Sequence, residues 1–326
     1  MKRIILLSLS LILLVTNAKA EEIVKKVYIN QFVQHPALDA TTKGIIDGLG
    51  QSGYKQGKNL DLRIESAQSN SALAAQIASK FINQNPDIVV GVATISAQSF
   101  IKYTLNNKAK LVFSSVTDPL AAGLIKNINQ PSNNTSGVSN FVELEPQIQL
   151  FKKIQQNIKQ IGFIYNPAEI NSVSLIKQLE EICPRLGIKL VLQAVSKTSD
   201  VPQAATKILN NVDAIFISND STALSALKSI VVAANKAKKP VYVSDTDAVE
   251  LGALAALGPN QYEIGIQTAK IITRALKGED IGNIAVEFPH KTELYINEDA
   301  AKILDIKIPD EIKSEAVKII SNNKDI

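Results

Sequence analysis

In PDIVVGVATISAQ (residues 86–98), a continuous apolar run is followed at once by small polar residues. An uninterrupted run of this kind is typical of a parallel strand that is buried on both faces of its sheet. The polar residues stand where a helical pattern begins. The same order recurs along the chain, as in DAIFISND (213–220). The repetition predicts βα units with right-handed crossovers around parallel sheets.

Strand character recurs in segments that are separated by helical patterns. These segments are Val27–Phe32, Leu60–Ser66, Ile88–Ala93, Leu111–Ser115, Ile161–Tyr165, Lys189–Val195, Ala214–Ser218 and Val241–Ser244. A turn-rich stretch, NQPSNNTSGVSN (129–140), interrupts the series and indicates a linker. We therefore predict an α/β fold of two doubly wound parallel-sheet lobes with a hinge and an interlobe cleft.

The predicted lobes are discontinuous in sequence. The first comprises residues 23–138 and 259–288, and the second comprises residues 141–257 and 290–326. The linkers between them are predicted near residues 139–141, 257–260 and 288–291. Two compact lobes joined in this way can close on a ligand by a hinge motion.

Residues 1–20, MKRIILLSLSLILLVTNAKA, have the pattern of a signal peptide. Lys2 and Arg3 precede the apolar run Ile4–Val15, and Ala18-Lys19-Ala20 matches a cleavage site. The run is shorter than the ~20 residues that a membrane-spanning helix needs, which argues against an uncleaved anchor. No Cys follows the signal to carry a lipid. We predict cleavage after Ala20 and a free periplasmic protein.

Composition excludes several classes of protein. The chain has 326 residues, of which 45% are hydrophobic and 20% charged, as expected of a globular protein with two lobes. One Cys rules out an intramolecular disulfide, and with two His it leaves few ligands for a transition-metal site, so no cofactor is predicted. Trp is absent, and the chain without its basic leader is nearly neutral, so we expect no nucleic-acid partner.

Enzyme motifs are absent or out of context. Gly48 to Gly53 match GxGxxG, but a helical pattern precedes them and a strand follows, which indicates a helix end and a turn. Cys183 stands beside Ile182 in a helical pattern and is predicted to be a buried structural thiol. There is no defensible nucleophile–base pair, so we predict that the protein is not an enzyme. A secreted enzyme that uses cleft aspartates stays an open alternative.

Small polar residues cluster at six predicted strand ends. The clusters are QFVQHPALD (31–39), VATISAQ (92–98), SSVTDP (114–119), YNPAEINS (165–172), SNDST (218–222) and SDTDAV (244–249). Helix starts at such positions bind a carboxylate through unpaired N–H groups, and the aspartates can hold an ammonium group. Helix capping alone explains any one cluster. Six clusters at the same sheet edges favour a binding cleft.

In this order and spacing, these motifs resemble the ABC-transporter substrate-binding proteins of the tryptophan/tyrosine transport type. PVYVSDTDAVELGALAALG (240–258) and INEDAAKILDIKIPDEI (296–312) extend the likeness, which runs from about residue 26 to 315. It implies a type I periplasmic-binding fold and a monomer that delivers an aromatic or related amino acid to ABC permease and ATPase subunits. A sugar or other small-solute receptor of the same fold stays open. The absence of Trp leaves a smaller or aliphatic ligand open as well.

The resemblance also implies binding residues. Those expected to hold a carboxylate on the first lobe are Thr94, Ser96, Ala97, Ser115 and Thr117. Those expected to approach from the hinge and the second lobe are Asn140, Asn171, Ser172, Asp220 and Asp245. Phe32, His35 and Tyr165, at other strand ends, complete the predicted set.

Two expectations are more specific. The helix begins directly after Ala93, so the backbone N–H groups of Ser96 and Ala97 are expected to be unpaired and to point into the cleft. Asp245 is predicted to pair with a ligand ammonium, with Asp220 as the alternative. Since a cleft carboxylate that faces water is not buried without ligand, Asp245→Asn is expected to leave folding nearly unchanged.

Overall fold

The computed structural model of the protein describes residues 23–106 and 108–321. The predicted signal peptide lies outside the described residues. Within them the chain forms two β-sheets, in which every strand pairs in parallel with its neighbours except at one junction. The predicted α/β fold of two parallel-sheet lobes is confirmed. None of the helices in these residues combines the length and apolar character needed to cross a membrane.

The first sheet is built by the N-terminal part of the chain. Its strands are β1 (Lys25–Gln31), β2 (Leu60–Ser66), β3 (Ile88–Val92), β4 (Leu111–Ser114) and β5 (Thr135–Val138), in the order β2–β1–β3–β4–β5. Between them lie helices α1 (Pro36–Gln51), α2 (Ser71–Ile82), α3 (Thr94–Gln98) and α4 (Ile101–Leu105). Strands β3 and β4 are buried along their whole length, so both faces of this sheet are covered.

The second sheet holds β6 (Gln160–Tyr165), β7 (Lys189–Ala194), β8 (Ala214–Ile217), β9 (Val241–Val243), β10 (Ala255–Pro259), β11 (Thr292–Asn297) and β12 (Lys318–Ile320). Their order is β12–β11–β10–β9–β8–β6–β7, and only β10 and β11 are antiparallel. The remaining helices are α5 (Leu144–Ile154), α6 (Ile170–Arg185), α7 (Val201–Leu209), α8 (Ser221–Ser225), α9 (Leu227–Lys236), α10 (Gln261–Leu276), α11 (Glu298–Leu304) and α12 (Asp310–Glu315). Short 3₁₀ segments cover Thr198–Asp200, Thr246–Leu251 and Ile281–Asn283.

Both faces of the second sheet are packed. Along β8, Ile215 and Ile217 enter one hydrophobic cluster, whereas Phe216 enters another with Phe151 and Phe163. This alternation follows from the two-residue period of a strand. The continuous apolar run of β8 is therefore explained by burial on both sides, as it is for β3.

The chain passes between the lobes three times. The first crossing joins β5, in the first sheet, to α5, in the second hydrophobic core. The second joins β10 to α10, whose Ile264 and Ile271 belong to the core of the first lobe. The third leads from Val286, in the first core, to β11 in the second sheet. Helix α10 thus comes late in the sequence but completes the first lobe.

Four strands were not predicted from the sequence. Strand β5 lies within residues 129–140, which were predicted to be a linker, and reads only TSGV. It pairs with β4 because Gly137 allows close approach: a Cβ there would lie 2.1 Å from Phe113 O. Strand β10 reads AALGP and lacks β-branched residues. Strands β11 and β12 extend the sheet past it at one edge.

Glycines bring α1 and α10 into backbone contact. A Cβ on Gly44 would lie 2.1 Å from Tyr262 O, and a Cβ on Gly265 would lie 2.1 Å from Thr41 O. Real Cβ atoms do not approach backbone oxygen this closely, so the packing needs glycine at both places. Gly48 of the GxGxxG match also lies in α1, which ends at Gln51. Gly48 packs against Ala269 of α10, whereas a Cβ on Gly50 or Gly53 would meet nothing within 4 Å, so the match is a helix end and turn and not a nucleotide loop.

We predict that Gly44→Ala destabilises the protein by about 1–3 kcal/mol, because the added methyl group forces α1 and α10 apart. Gly50→Ala is the matched control in the same helix, where a Cβ would meet nothing within 4 Å. The control is expected to raise stability by up to about 1 kcal/mol through helix propensity. Urea unfolding measures both variants. Equal stability of the two variants would contradict the close packing of α1 on α10.

Candidate ligand-binding site

A small polar cavity lies between the two lobes. It lies beyond the carboxyl ends of β1, β3 and β4 in the first sheet and of β6, β8 and β9 in the second. In parallel sheets of this strand order, ligands bind at this edge, near the point where the order reverses. The residues around the cavity are His35, Ala37, Leu38, Ala93, Thr94, Ile95, Ser115, Thr117, Asn140, Glu169, Asn171, Asn219, Ser221, Leu224, Asp245 and Gln261.

Two non-glycine residues on the first-lobe wall have positive φ angles. Ala93, directly after β3, has φ 74° and ψ 161°, and Ser115, directly after β4, has φ 53°. Conformations of this kind cost about 1–3 kcal/mol each and persist where surrounding contacts fix them. The N–H of Ala93 donates to Ser114 O at 3.0 Å. The sharp turn at Ala93 brings Thr94 to the cavity wall.

His35 is a neutral cap at the start of α1. Its Nδ1 accepts a hydrogen bond from the N–H of Leu38 at 3.5 Å. Burial lowers the pKa of His35 to about 4, because the charged ring would lose its hydration. The ring therefore supplies no positive charge to the cavity near neutral pH.

Glu169 lies on the second-lobe wall, directly before α6. Its Oε2 accepts from the N–H of Ser221 at 2.8 Å, and its Oε1 accepts from the N–H and the hydroxyl of Thr222 at 2.9 and 2.7 Å. Burial, and then the charge of Asp220, raises the pKa of Glu169 to about 7. The carboxylate therefore joins the turn before α6 to the start of α8.

Asp245 follows β9 and is 2% exposed. Within the described residues its one hydrogen-bond donor is Gln261, whose Nε2 lies 2.6 Å from Asp245 Oδ1. Burial raises the pKa of Asp245 to about 7, although the bond from Gln261 opposes the shift. Gln261 Oε1 accepts from Thr41 Oγ1 at 3.1 Å and from Ser115 Oγ at 2.9 Å. These two hydroxyls orient the amide, so that its nitrogen faces Asp245.

A second set of polar contacts also joins the lobes. Thr117 Oγ1 donates to Asn140 Oδ1 at 3.1 Å, and Asn219 Nδ2 donates to Thr117 Oγ1 at 3.2 Å. Asn171 Nδ2 donates to the backbone carbonyl of Asn219 at 2.6 Å. The side-chain oxygens of Asn171 and Asn219 are buried and have no hydrogen-bond partner among residues 23–106 and 108–321.

The lining contains two carboxyl groups and, among the described residues, no Lys or Arg. Buried acids without a base favour a ligand that carries a positive group. Ala37, Leu38, Ile95 and Leu224 add an apolar wall. In the part of the chain that the structure describes, no three His, Cys, Asp or Glu side chains cluster as metal ligands would. The arrangement can bind a small cationic or zwitterionic molecule that also has an apolar part.

The structure brings seven of the predicted site residues together around the cavity. They are His35, Thr94, Ser115, Thr117, Asn140, Asn171 and Asp245. The other six lie outside its lining, and they are Phe32, Ser96, Ala97, Tyr165, Ser172 and Asp220. Phe32 belongs to the first core, and the Tyr165 ring packs near that of Phe163, with centroids 6.5 Å apart.

The expectation that the backbone N–H group of Ala97 is unpaired is wrong. This group donates to Ala93 O at 3.0 Å, because the turn after β3 already starts the helical hydrogen bonds. Ala97 packs on Gly91, where a Cβ would lie 2.4 Å from Ala97 Cα. Ser96 Oγ donates to Asn30 Oδ1 at 3.2 Å, within the first lobe. The rotation of α3 thus directs Ser96 and Ala97 into the core and leaves Thr94 at the cavity.

Asp220 is not placed to meet a ligand ammonium. Its carboxylate accepts from the N–H groups of Ala223 and Asn166, both at 2.8 Å, and from Ser172 Oγ at 2.7 Å. Asp220 is fully buried and begins α8. Its carboxylate is therefore occupied within the second lobe, and Ser172 serves it as a donor.

Nine of the sixteen lining residues were missed by sequence reasoning, among them Glu169, Asn219 and Gln261, whose polar contacts are described above. Glu169 and Asn219 lie within the strand-end clusters YNPAEINS and SNDST, so their position was a usable signal. Gln261 follows Asn260 at the start of α10, far from these clusters in sequence. The packing of α10 on α1 brings Gln261 to the cavity, and no local sequence pattern predicts that contact.

Two parallel-sheet lobes, joined by three crossings around a small polar cavity, define a two-lobed solute-binding protein of the type I periplasmic-binding class. More specifically, the chain belongs to the ABC transporter substrate binding protein family, whose model matches residues 26–320. The resemblance drawn from the strand-end motifs is thereby confirmed. Members of this family are receptors that bind a small-molecule solute outside the cytoplasmic membrane for an ABC transporter.

The chain is similar to proteins with named ligands. It is 31% identical over 300 residues to a tyrosine-binding protein of Clostridioides difficile, covering 92% of this chain and 86% of that one. It is also 31% identical to a Streptococcus pneumoniae ABC domain solved in complex with L-Trp, with a TM-score of 0.87. That alignment covers 91% of this chain and 100% of the other.

The lobes have a closed arrangement. Besides the contacts at the cavity, Ser174 Oγ of α6 donates to Asp118 Oδ2 of the first lobe at 2.6 Å. A ligand-free, open structure of a Clostridium difficile substrate-binding protein is 31% identical over 92% of this chain and 100% of that one, but its TM-score is only 0.69. Since the identity equals that of the L-Trp complex, the lower score indicates a different arrangement of the lobes.

We predict that ligand binding closes the lobes in solution. The radius of gyration from small-angle scattering should fall when a bound solute is added, because the lobes rotate together about the three crossings. Ser174→Ala lies outside the cavity and removes one interlobe hydrogen bond, so it should weaken binding through closure alone, by up to about tenfold. An unchanged radius of gyration in a protein that is shown to bind the solute would contradict the prediction.

The burial of Asp245 overturns the expectation that its replacement leaves folding unchanged. Its folded-state pKa of about 7 lies above the ordinary 3.8, so ionisation opposes folding increasingly as the pH rises from 3.8 to 7. Asp245→Asn should therefore be more stable than wild type at pH 8 by about 1–3 kcal/mol, with a smaller gain near pH 4.

The measurement is urea unfolding of both proteins at the two pH values. Asp305→Asn replaces an exposed aspartate and controls for the change in net charge. The asparagine at 245 can still accept from Gln261, so the hydrogen bond is preserved. A stability difference that does not grow with pH would show that the Asp245 carboxylate is hydrated in the free protein.

Proposed function

We propose that this chain is the periplasmic receptor of an ABC importer and that it captures an amino acid, aromatic or related, in the interlobe cleft. One observation carries the proposal: Asp245 is a buried cavity carboxylate with a single neutral donor, in a lining without Lys or Arg among the described residues. A ligand ammonium supplies the missing positive charge. Asp245 is its partner, since the Glu169 carboxylate already accepts three hydrogen bonds.

The ligand carboxylate docks on the first lobe. Thr94, Ser115 and Thr117 bring hydroxyl groups to this wall. The first N–H groups of α3, from Thr94 onward, have no partner within the helix and favour an anion. Neutral donors are sufficient for a carboxylate whose charge is balanced by its own ammonium.

The ligand side chain packs against the apolar wall of Leu38, Ile95 and Leu224. The cavity is small and walled by both lobes, which favours a free amino acid over a peptide or an oligosaccharide. The two named relatives bind tyrosine and L-Trp. Aromatic amino acids are therefore the first ligands to test.

The protein acts as a receptor and not as an enzyme. His35, the histidine of the lining, is neutral and uses Nδ1 to cap α1, so it does not activate a cavity hydroxyl. The signal pattern at residues 1–20, with cleavage after Ala20, supports export to the periplasm. The proposed receptor works as a monomer with ABC permease and ATPase subunits. Its proposed lobes comprise residues 23–138 and 259–288, and residues 141–257 and 290–326.

We predict that Asp245→Asn lowers the affinity for the bound amino acid about ten- to a hundredfold, because a charged hydrogen bond to the ammonium is lost. Thr94→Val should cost about tenfold at the carboxylate end. Since burial raises the pKa of Asp245 to about 7, wild-type affinity should fall as the pH drops below 7, and the Asp245→Asn variant should respond less. Calorimetric titration measures the affinities of wild type, Asp245→Asn and Thr94→Val.

Asp247→Asn is the matched control, since it removes the same charge two residues away and outside the cavity lining. It should bind with nearly wild-type affinity. The ligand is first chosen by thermal shift against amino acids and sugars. A thermal shift with a sugar but with no amino acid would refute the assignment of an amino-acid ligand. Equal affinity for an amino acid and its N-acetyl derivative would refute it as well.

A further inference from the structure

Two buried carboxylates connect the start of α6 to the start of α8. Glu169 directly precedes α6, and its carboxylate accepts from the backbone N–H groups of Ser221 and Thr222, which open α8. Asp220 directly precedes α8, and its carboxylate accepts from Ser172 Oγ in the first turn of α6 at 2.7 Å. Each carboxylate thus binds donors in the segment that carries the other, so the two helix starts are held in a fixed relative position.

The connection is confined to the second lobe. Glu169 is 1% exposed and Asp220 is fully buried. Among the residues that the structure describes, their donors are neutral backbone N–H and hydroxyl groups of that same lobe. A buried N–H group without an acceptor is costly, so the backbone at 221–222 would have to move if the Glu169 carboxylate were removed.

The two connected segments also carry contacts with the first lobe. In α6, Ile170 packs against the hydrophobic core of the first lobe, and Ser174 Oγ donates to Asp118 Oδ2 at 2.6 Å. Directly before α8, Asn219 Nδ2 donates to Thr117 Oγ1 at 3.2 Å. One apolar and two polar interlobe contacts therefore come from segments whose relative position the two carboxylates fix.

A third hydrogen bond ties the same segments together. Asn171 Nδ2, in the first turn of α6, donates to the backbone carbonyl of Asn219 at 2.6 Å. Because these bonds need no atom of the first lobe, they can form before the lobes meet. A surface that is already rigid loses little conformational entropy when it docks, which favours closure.

We propose that Glu169 is a positioning residue for lobe closure. It holds the start of α6 in place relative to α8, so that Ile170, Ser174 and Asn219 meet the first lobe together. Its effect on ligand affinity comes through these contacts, although the residue also lines the cavity. The inference rests on the proposed function, in which the lobes close on a bound amino acid.

A double-mutant cycle separates this role from a direct contact with the ligand. Glu169→Gln keeps the size of the side chain but has one acceptor oxygen instead of two, so it should bind L-tyrosine about tenfold more weakly. Ser174→Ala and Ile170→Ala lie outside the cavity lining, and each should weaken L-tyrosine binding in the otherwise wild-type protein by about three- to tenfold. In the Glu169→Gln background each should cost less than about twofold, because the contacts of α6 are already misplaced. Calorimetric titration measures the affinities.

Additive effects in the cycle would show that Glu169 acts on the ligand directly, and they would overturn the inference. Wild-type affinity in Glu169→Gln would overturn it as well, and so would wild-type affinity in both Ser174→Ala and Ile170→Ala. These outcomes leave the amino-acid receptor standing. A wild-type protein that binds neither L-tyrosine nor any other amino acid would instead overturn the proposed function, and the inference with it.

Small-angle scattering measures closure itself. At saturating L-tyrosine, Glu169→Gln should have a larger radius of gyration than wild type, because fewer molecules are closed. Glu169→Ala should have a larger radius still, since alanine accepts from neither Ser221 nor Thr222, whereas glutamine keeps one acceptor. Glu180→Gln, at an exposed position in the same helix, is the matched control and should close like wild type. A wild-type radius in saturated Glu169→Gln would contradict the proposed role.

A milder variant keeps the test available if the Glu169 variants do not fold, which melting curves will show. Thr222→Val removes only the hydroxyl group that donates to Glu169 Oε1 at 2.7 Å, and Thr222 lies outside the cavity lining. It should weaken L-tyrosine binding by about three- to tenfold, and less than additively with Ser174→Ala. Additive effects of these two substitutions would likewise overturn the inference.

Discussion

Asp245 loses its hydration where the lobes meet, and among the residues that the structure describes only the amide of Gln261 donates to its carboxylate. That amide is oriented by hydroxyls of the first lobe, while Asp245 belongs to the second lobe. Gln261 reaches this place because α10 packs on α1 through Gly44 and Gly265. The backbone contact between α1 and α10 thus positions the Gln261 amide beside the Asp245 carboxylate. The proposed ammonium site rests on this buried carboxylate and its neutral donor.

The strained backbone at the cavity also lies where strands end beside the cleft. Each sheet has its strand-order reversal beside the cleft, between β1 and β3 in one lobe and between β6 and β8 in the other. Turns at such points lack neighbouring helices on one side, which leaves room for a solute. Ala93, at the end of β3, and Ser115, at the end of the neighbouring strand β4, hold positive φ angles. The rigid sheets maintain these conformations, so the polar groups are in place before a ligand arrives.

Sequence reasoning found what local patterns encode. The apolar runs of β3 and β8 gave the buried strands, and Thr94 and Asp245 were found because they directly follow strands. Strand β5 was missed because TSGV pairs through a glycine contact and not through β-branched residues. Asp220 and Asp245 both follow strands, and only the folded structure shows that one caps a helix and the other lines the cavity. Gln261 reaches the cavity only through contacts between residues that are distant in sequence, so no local pattern predicts its place there.

Helix α10 also orders the folding of the chain in time. Thr41 and Gln261, which are hydrogen-bonded, stand 220 positions apart in sequence. Strands β1 to β5 are synthesised long before α10, so Ile45 and Leu49 of α1 stay without the Ile264 and Ile271 that share their core. Closing so long a loop is entropically costly and slow. The first lobe, although it is started first, can therefore be completed only after β6 to β10 of the second lobe have been made.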